Sequence, residues 1–256
     1  LSTEASWPRD WPGGVARHVL AQTDTTMAEA ARLAPHLAGP AWVFAHRQTA
    51  GRGRRGRDWL MPAGNFAATL VFRPAVTPAT AALYSFVAAL ALEAALTEVM
   101  GPGPVTAIKW PNDVLLNGGK IAGILLESVG TGGQISHLAV GIGVNLAQAP
   151  PAAALEPGAV APVSLVGETG LKIDPLDFLP PLARGFAHYA ATFERYGFAP
   201  IRAAWLARAA RIGQRITART GTETLTGTFE TIDDTGALIL ATGSERRAIS
   251  AADIFF

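Results

Sequence analysis

Apolar and polar positions change period several times along the chain, and each change marks an element. Val19-Leu20-Ala21-Gln22 reads as a short strand. Asp24-Thr25-Thr26-Met27-Ala28-Glu29 follows, with Thr26 as an N-cap and Glu29 three residues on, the form of a capping box, so a helix to about Leu37 is expected. Trp42 to Gln48 and Phe66 to Phe72 read as strands. Between Pro78 and Met100 the apolar residues Leu83, Phe86, Val87, Leu90, Leu92, Leu96 and Val99 lie on all sides, which predicts one largely buried helix closed by Gly101-Pro102-Gly103-Pro104. Val105 to Trp110 is a strand, Asn117-Gly118-Gly119 is a hairpin turn, and Lys120 to Glu127 is the returning strand. His137 to Asn145 is a further strand with Gly141 and Gly143 inside it, and glycine there marks close approach of a ligand or another backbone.

Trp7 to Gly14 and Pro150 to Pro162 have the Pro-rich pattern of irregular connectors. Asp174 to Tyr196 is helical, with Asp174-Pro175 as cap and first turn and Pro180-Pro181 as a kink or late start, and a shorter helix covers Pro200 to Arg208. From Gly213 onward the pattern changes to threonine-rich alternation between glycine turns. Arg215 to Thr220, Thr224 to Asp233, Ala237 to Thr242 and Arg246 to Ser250 give four or five short strands, the pattern of a small barrel. A piece of about 45 residues is near the limit of independent stability, so it is expected to dock on the rest.

Composition narrows the picture. The 256 residues, 49% of them hydrophobic, suit one medium domain with a small one appended. The net charge of +1 argues against a protein whose whole surface coats nucleic acid. The absence of cysteine excludes disulfides, thiolate zinc sites and cysteine nucleophiles, and fits a reducing compartment. No uninterrupted apolar run reaches the length of about 18 residues expected of a membrane span, and no signal pattern opens the chain, so a cytoplasmic location is expected.

The candidate chemistry is local. Gly51-Arg52-Gly53-Arg54-Arg55-Gly56-Arg57-Asp58-Trp59 packs four arginines and three glycines into seven residues. Glycines let a backbone approach a ligand, and guanidinium forks match phosphate or carboxylate oxygens. A solvated loop or a nucleic-acid patch fits that stretch equally well when it is taken alone. A second concentration lies around the hairpin, where Lys109, Asn112, Asp113 and Lys120 border apolar strands. Lysine at such places calls for a partner or a ligand.

Four stretches in order, Gly51 to Trp59, Lys109-Trp110-Pro111-Asn112-Asp113, Lys120-Ile121-Ala122-Gly123-Ile124-Leu125-Leu126-Glu127 and Gly141-Ile142-Gly143-Val144-Asn145, resemble the ordered motifs of the biotin protein ligases. The resemblance runs from about Val19 to the end of the chain. It implies an α+β fold in which a mixed β-sheet catalytic domain with helices packed on it (1–210) is followed by a small SH3-like β-barrel (211–256). It also implies the monofunctional kind, without a winged helix-turn-helix. Such enzymes join the biotin carboxylate to the α-phosphate of ATP and pass the biotinyl group from biotinyl-5′-AMP to one lysine of a biotin carboxyl carrier domain.

The resemblance carries roles residue by residue. Lys120, with Arg52 and Arg54, would be catalytic by neutralising two anionic reactants. Thr25, Thr26 and Gln48 would bond the ureido end of biotin, Gly51 and Gly53 with Arg52 and Arg54 would close over it, and Leu125 and Gly141 would line its apolar side. Arg54, Arg57, Trp59, Lys109, Asn112 and Asn145 would serve ATP, with Trp59 stacked on adenine, and Asp113 would assist Mg2+ or activate the incoming lysine. No residue is assigned as a resident metal ligand. The implied partner is the carrier domain, with neither DNA nor membrane, and a homodimer is compatible with the family. Without ligand the glycine-arginine loop is expected to lack order. One departure stands out: the turn that usually reads Asp-Ser-Thr-Asn is here Asp24-Thr25-Thr26-Met27, so Met27 replaces an amide. Two rivals stay open at this point, a lipoate or octanoate ligase of the same fold and a nucleic-acid-binding module that uses the arginine loop.

Overall fold

The computed structural model describes residues 10–131, 134–151, 158–243 and 245–256; the lead-in expected at 7–9 and the centre of the connector at 152–157 lie outside them. In chain order the strands are β1 (Ala16–Leu20), β2 (Ala41–Ala45), β3 (Phe66–Phe72), β4 (Thr106–Lys109), β5 (Asp113–Leu116), β6 (Gly119–Thr131), β7 (Gln134–Val144), β8 (Arg215–Arg219), β9 (Thr224–Ile232), β10 (Leu238–Thr242), β11 (Glu245–Ile249) and β12 (Asp253–Phe255). The helices are α1 (Thr26–Leu33), α2 (Pro78–Ala82), α3 (Tyr84–Met100), α4 (Leu165–Thr169), α5 (Pro175–Tyr196) and α6 (Phe198–Leu206).

The first seven strands form one sheet in the order β1-β2-β3-β7-β6-β5-β4, antiparallel throughout except for the parallel pair β1 and β2. Asn117 and Gly118, with φ of 49° and 86°, make the tight turn that sets β5 against β6. One face of this sheet builds the main core. Trp42, Phe44, Phe66, Ala68, Leu70, Ile124, Val140, Ile142 and Val144 are all buried there together with residues of α3 and α5. Phe66 meets Phe44 and Phe178, with ring centroids 5.7 and 5.2 Å apart. Burying each such ring is worth about 1.5–3 kcal/mol, against about 0.5–1.5 kcal/mol for an aromatic edge contact, so removal from water and not ring geometry holds the layers together. The other face carries α1 over β2 and β3, where Ala30, Ala34, Ala41, Val43 and Val71 make a smaller cluster.

Several local expectations change. The N-cap of α1 is Thr25, whose hydroxyl accepts from the Ala28 N–H, so Thr26 is the first helical residue and the capping box with Glu29 does not form. The helix expected to Leu37 ends at Leu33 and continues as a 3-10 turn over Ala34–His36. The long apolar helix is broken at Leu83 into α2 and α3. By length and composition Pro78–Met100 is apolar enough to cross a membrane, contrary to the reading of uninterrupted runs, but most of it is buried inside the protein as a core helix. Pro180 and Pro181 lie within α5, which starts at Pro175 with Asp174 as its cap.

The last five strands form a second sheet, antiparallel and ordered β11-β10-β9-β8-β12, which is the small SH3-like unit. Five named strands answer the expected four or five, β12 being one that the alternation did not locate. The unit docks through specific contacts: Trp110 Nε1 donates to the Gly236 carbonyl at 3.0 Å, Arg202 Nε to the Ile232 carbonyl at 2.6 Å, and the Trp205 and Phe229 rings meet edge to face.

Candidate active site

Residues directly paired across neighbouring strands share a face of the sheet. The register aligns Ala67, Gly143, Gly123, Asp113 and Lys109 across β3, β7, β6, β5 and β4. Two residues further along, Val43, Thr69, Gly141 and Leu125 form the next row on the same face. The result is a groove-like strip of mostly small residues, with hydroxyl and amide groups at one end and cations at the other, covered by α1 and Met27 over Val43 and Gly141 and by the Trp59 ring over Gly143 and Gly123.

The polar end is built by the turn into α1. Asp24 accepts from the Thr25 N–H at 2.8 Å and from Arg32 Nη2 at 2.7 Å. The Arg32 hydrogen bond, helped by the Thr25 amide and the Thr23 hydroxyl, holds its carboxyl well below the usual range. Gln48, just past β2, accepts through Oε1 from the Thr26 N–H at 2.7 Å and from the Thr26 hydroxyl at 3.2 Å. The Thr69 hydroxyl donates to Thr26 Oγ1 at 2.9 Å. Beside this cluster Met27 is buried, and a methyl group placed on Gly141 would stand 2.8 Å from Met27 Cε. The residue that replaces the family amide therefore supplies an apolar wall over the floor.

At the other end Lys120 Nζ lies 2.7 Å from Asp113 Oδ1, an ion pair by distance without the alignment of a hydrogen bond. Lys109 Nζ is 4.0 Å from the other oxygen of the same carboxylate and 5.6 Å from the centre of the Phe256 ring. Arg54 donates to Asn112 Oδ1 at 3.2 Å, and Asn112 is itself fixed by the Ile124 carbonyl at 2.6 Å. Burial lowers the pKa of both Lys109 and Arg54 against the opposing pull of nearby carboxylates. Lys120, Lys109 and Arg54 thus cluster about Asp113 in a partly desolvated place, with Asp253 adding a second carboxylate that acts on Arg54 and Lys109, and the excess of cations favours an anionic guest.

The glycine-arginine stretch is a folded turn in the structure, where the sequence reading expected none. Gly53 N–H reaches the Arg57 carbonyl at 2.8 Å, Trp59 N–H reaches the Gly51 carbonyl at 3.0 Å, and Arg52 pairs with Asp58. Gly51 is needed because a methyl group there would stand 2.4 Å from the Trp59 carbonyl oxygen. The Trp59 ring lies flat on the groove: a methyl on Gly143 would come within 2.4 Å of it, and one on Gly123 within 3.1 Å. Lys120 Nζ is 5.8 Å from the same ring. A stacking role for Trp59 on adenine would therefore use the face turned away from this floor, or a ring swung off it.

The structure gathers Thr25, Thr26, Gln48, Gly51, Gly53, Arg54, Trp59, Lys109, Asn112, Asp113, Lys120, Leu125 and Gly141 around this one groove. Three expected residues stand apart. Arg52 is held at the surface by Asp58, Arg57 donates to Asp253, and Asn145 is a buried amide that donates to the Val163 carbonyl at 3.1 Å. Asn65 supports Asn145 and the turn after β7, accepting from the Ala147 and Gln148 N–H groups at 2.9 and 3.0 Å.

Asp253, which no motif marked, ties the loop to the small sheet by accepting from Arg55 and Arg57 at 2.7 Å each. Burial pulls its pKa upward, and the hydrogen bond and charge of Arg57, with Arg55 and Arg219, outweigh this and hold it below the usual range. Because both loop arginines are about half exposed, the tie is worth little per pair. Asp253→Ala is expected to release Arg55 and Arg57 from the small sheet and to speed tryptic cleavage at these arginines about fivefold, which timed limited proteolysis with peptide mapping checks.

Comparison with known proteins gives the family and the fold. Residues 19–145 match the Biotin/lipoate A/B protein ligase family, and residues 212–256 match the Biotin protein ligase C terminal domain. The chain is similar to the biotin–[acetyl-CoA-carboxylase] ligase of Paracoccus denitrificans, with 62% identity over 93% of this chain and 99% of that protein. It is 32% identical to the ligase of the same description from Mycobacterium tuberculosis, over 92% of this chain and 87% of the other. With the bifunctional ligase/repressor BirA of Bacillus subtilis it shares 35% identity over 83% of this chain and 65% of the relative. Among solved structures, the biotin protein ligase from Aquifex aeolicus in complex with biotin and ATP superposes with a TM-score of 0.77, covering 93% of this chain and 97% of the other; at 24% identity it speaks for the fold.

Proposed function

Because the chain belongs to the biotin protein ligase family, we propose that the groove between the Thr26–Gln48 cluster and Lys120 is where biotin is activated with ATP before transfer to a carrier lysine. The observation that carries this placement is the polarity of the groove: neutral hydrogen-bonding groups at one end, a glycine floor, and Lys120, Lys109 and Arg54 at the other. Biotin has the matching order, a ureido ring, an apolar ring and chain, and a carboxylate.

In the first step a biotin carboxylate oxygen bonds to the α-phosphorus of ATP, the bond from that phosphorus to the bridging oxygen breaks, and pyrophosphate leaves. In the second, the neutral carrier lysine amine bonds to the biotinyl carbonyl carbon, the bond from that carbon to the phosphate oxygen breaks, AMP leaves with the electron pair, and the nitrogen gives up a proton to solvent. Both reactants of the first step are anions, so charge fixed in advance lowers the barrier. In this reading Lys120 faces both, its side chain partly exposed and its ammonium not aligned into a hydrogen bond with Asp113. Arg54, Asn112 and Lys109 serve the phosphates in this reading, and Arg52 and Arg57 join only after exchanging Asp58 and Asp253 for ligand oxygens. The catalytic work belongs to residues 1–210, with 211–256 contributing Asp253 and Phe256 at the rim.

Asp113 stands between two ammonium groups, and a bound divalent cation there would be repelled by both. No trio of His, Asp or Glu suited to a metal lies among the described residues. The residues thus do not fit a resident Mg2+ site; Mg2+ enters as part of the ATP substrate, and Asp113 organises the lysines. The nucleic-acid alternative is disfavoured by the family match, and Asp58 and Asp253 offset part of the loop's charge. Neither step requires DNA or a membrane, and the lack of cysteine suits a cytoplasmic setting.

Incubation with ATP, Mg2+, biotin and a biotin carboxyl carrier domain tests the reading. Mass spectrometry is expected to find one biotinyl group on one lysine, and labelling with lipoate in place of biotin would contradict it.

A further inference from the structure

Thr69 interrupts the otherwise apolar β3 sequence Phe-Ala-Ala-Thr-Leu-Val-Phe and is fully buried. A valine would fill the same space in a strand without a hydroxyl to desolvate, so the hydroxyl calls for a reason. Thr69 Oγ1 donates to Thr26 Oγ1 at 2.9 Å, and Thr26 Oγ1 in turn donates to Gln48 Oε1 at 3.2 Å. The same Gln48 oxygen accepts the Thr26 backbone N–H at 2.7 Å. A backbone N–H is only a donor, so this bond orients the side-chain amide: oxygen toward the helix, Nε2 away from it. That Nε2 faces the start of the glycine-arginine loop, where a methyl group on Gly51 would stand 3.3 Å from it.

We propose that Thr69 is a positioning residue for substrate selection: the one-way chain Thr69 to Thr26 to Gln48 holds the Gln48 amide with its N–H donors toward the groove, so that the polar end prefers a strong neutral acceptor such as the carbonyl oxygen of a cyclic urea. Thr69 does not touch the substrate. Its effect passes through Thr26, whose proton is sent on to Gln48 because its lone pair already receives the proton of Thr69, and successive bonds in such a chain polarise one another. Gly141, directly opposite Thr69 in the register, puts no side chain against the relay, where a methyl would stand 3.6 Å from Thr69 Oγ1 and 2.8 Å from Met27 Cε. The inference rests on the proposed use of this groove for biotin.

Thr69→Val keeps the shape and removes the relay, and Thr69→Ser keeps the hydroxyl. In pyrophosphate exchange the Val variant is expected to raise the biotin KM about tenfold, the scale of one buried hydrogen bond. Its ATP KM and its kcat at saturating biotin should stay within about twofold of the parent, as should every constant of the Ser variant. Thr69→Ala, which removes the hydroxyl and leaves space in its place, should raise the biotin KM like the Val variant. A parental biotin KM in both the Val and Ala variants overturns the proposal, and so do equal losses toward biotin and ATP or a Ser variant as impaired as Val. A parent protein with no biotin-dependent exchange would instead overturn the function assigned to the groove, and the relay with it.

Discussion

Lys120→Ala is expected to lower biotin-dependent adenylate formation about a thousandfold and to leave the thermal transition within a few degrees of the parent, the loss at the upper end for removing one fixed donor from a charge-stabilising site. The activity term follows from position. Lys120 is the second residue of β6, its ammonium beside Asp113 and the Trp59 ring, where the proposed function brings the carboxylate of biotin and the α-phosphate together. The stability term follows from exposure: its side chain is 31% exposed, so its loss opens no core cavity. Asp113 would lose the closer of its two cations and keep Lys109 at 4.0 Å. Lys120→Arg should rescue poorly, because a planar fork does not place a compact charge at the same point. Pyrophosphate exchange with a parallel melting curve measures both terms, and a near-normal rate in the Ala variant would remove Lys120 from the mechanism.

Gly143→Ala is expected to cost about a hundredfold in kcat/KM for biotin, and Gly141→Ala no more than about tenfold, the sizes expected for overpacking of about 1–3 kcal/mol. The two glycines are two residues apart on one strand and one face, yet their surroundings differ. A methyl on Gly143 would lie 2.4–2.6 Å from Trp59 Cε2, Nε1 and Cζ2, the body of a bulky ring. A methyl on Gly141 meets the terminal carbon of Met27 at 2.8 Å, which a rotation of a flexible side chain relieves. Kinetics of the two variants side by side, with tryptophan fluorescence following the displaced ring, decide the matter. Equal effects would mean that Trp59 does not rest on Gly143 in solution.

Much of the element order was legible because the relevant signals are local. Phe66 to Phe72 is an apolar β-rich run bounded by turn residues, and it forms β3 with the expected ends. Asn117-Gly118 is the hairpin turn it reads as, because its positive φ angles suit those residue types. Local pattern could not settle which of Thr25 and Thr26 caps α1, since both can cap; the choice is made by Gln48 and Thr69, far away in sequence, which engage Thr26. For the same reason the row Ala67, Gly143, Gly123, Asp113 and Lys109 was hidden, because the register between distant strands is a tertiary property.

The motif residues did converge on one groove, with the exceptions of Arg52, Arg57 and Asn145, whose partners in the structure are Asp58, Asp253 and Val163. Asp253 carried no signal, as a lone carboxylate in a short strand near the end of the chain. Thr69 carried one that went unused: a single hydroxyl inside an apolar strand. A buried hydroxyl needs a partner, and looking for that partner would have led to Thr26.

The joining of biotin to the α-phosphate of ATP is the central proposed step, and exchange of labelled pyrophosphate into ATP measures it without a carrier. The expected result is exchange that depends on biotin, saturates with it and disappears in Lys120→Ala. Exchange that proceeds equally without biotin, or only with lipoate, would contradict the account.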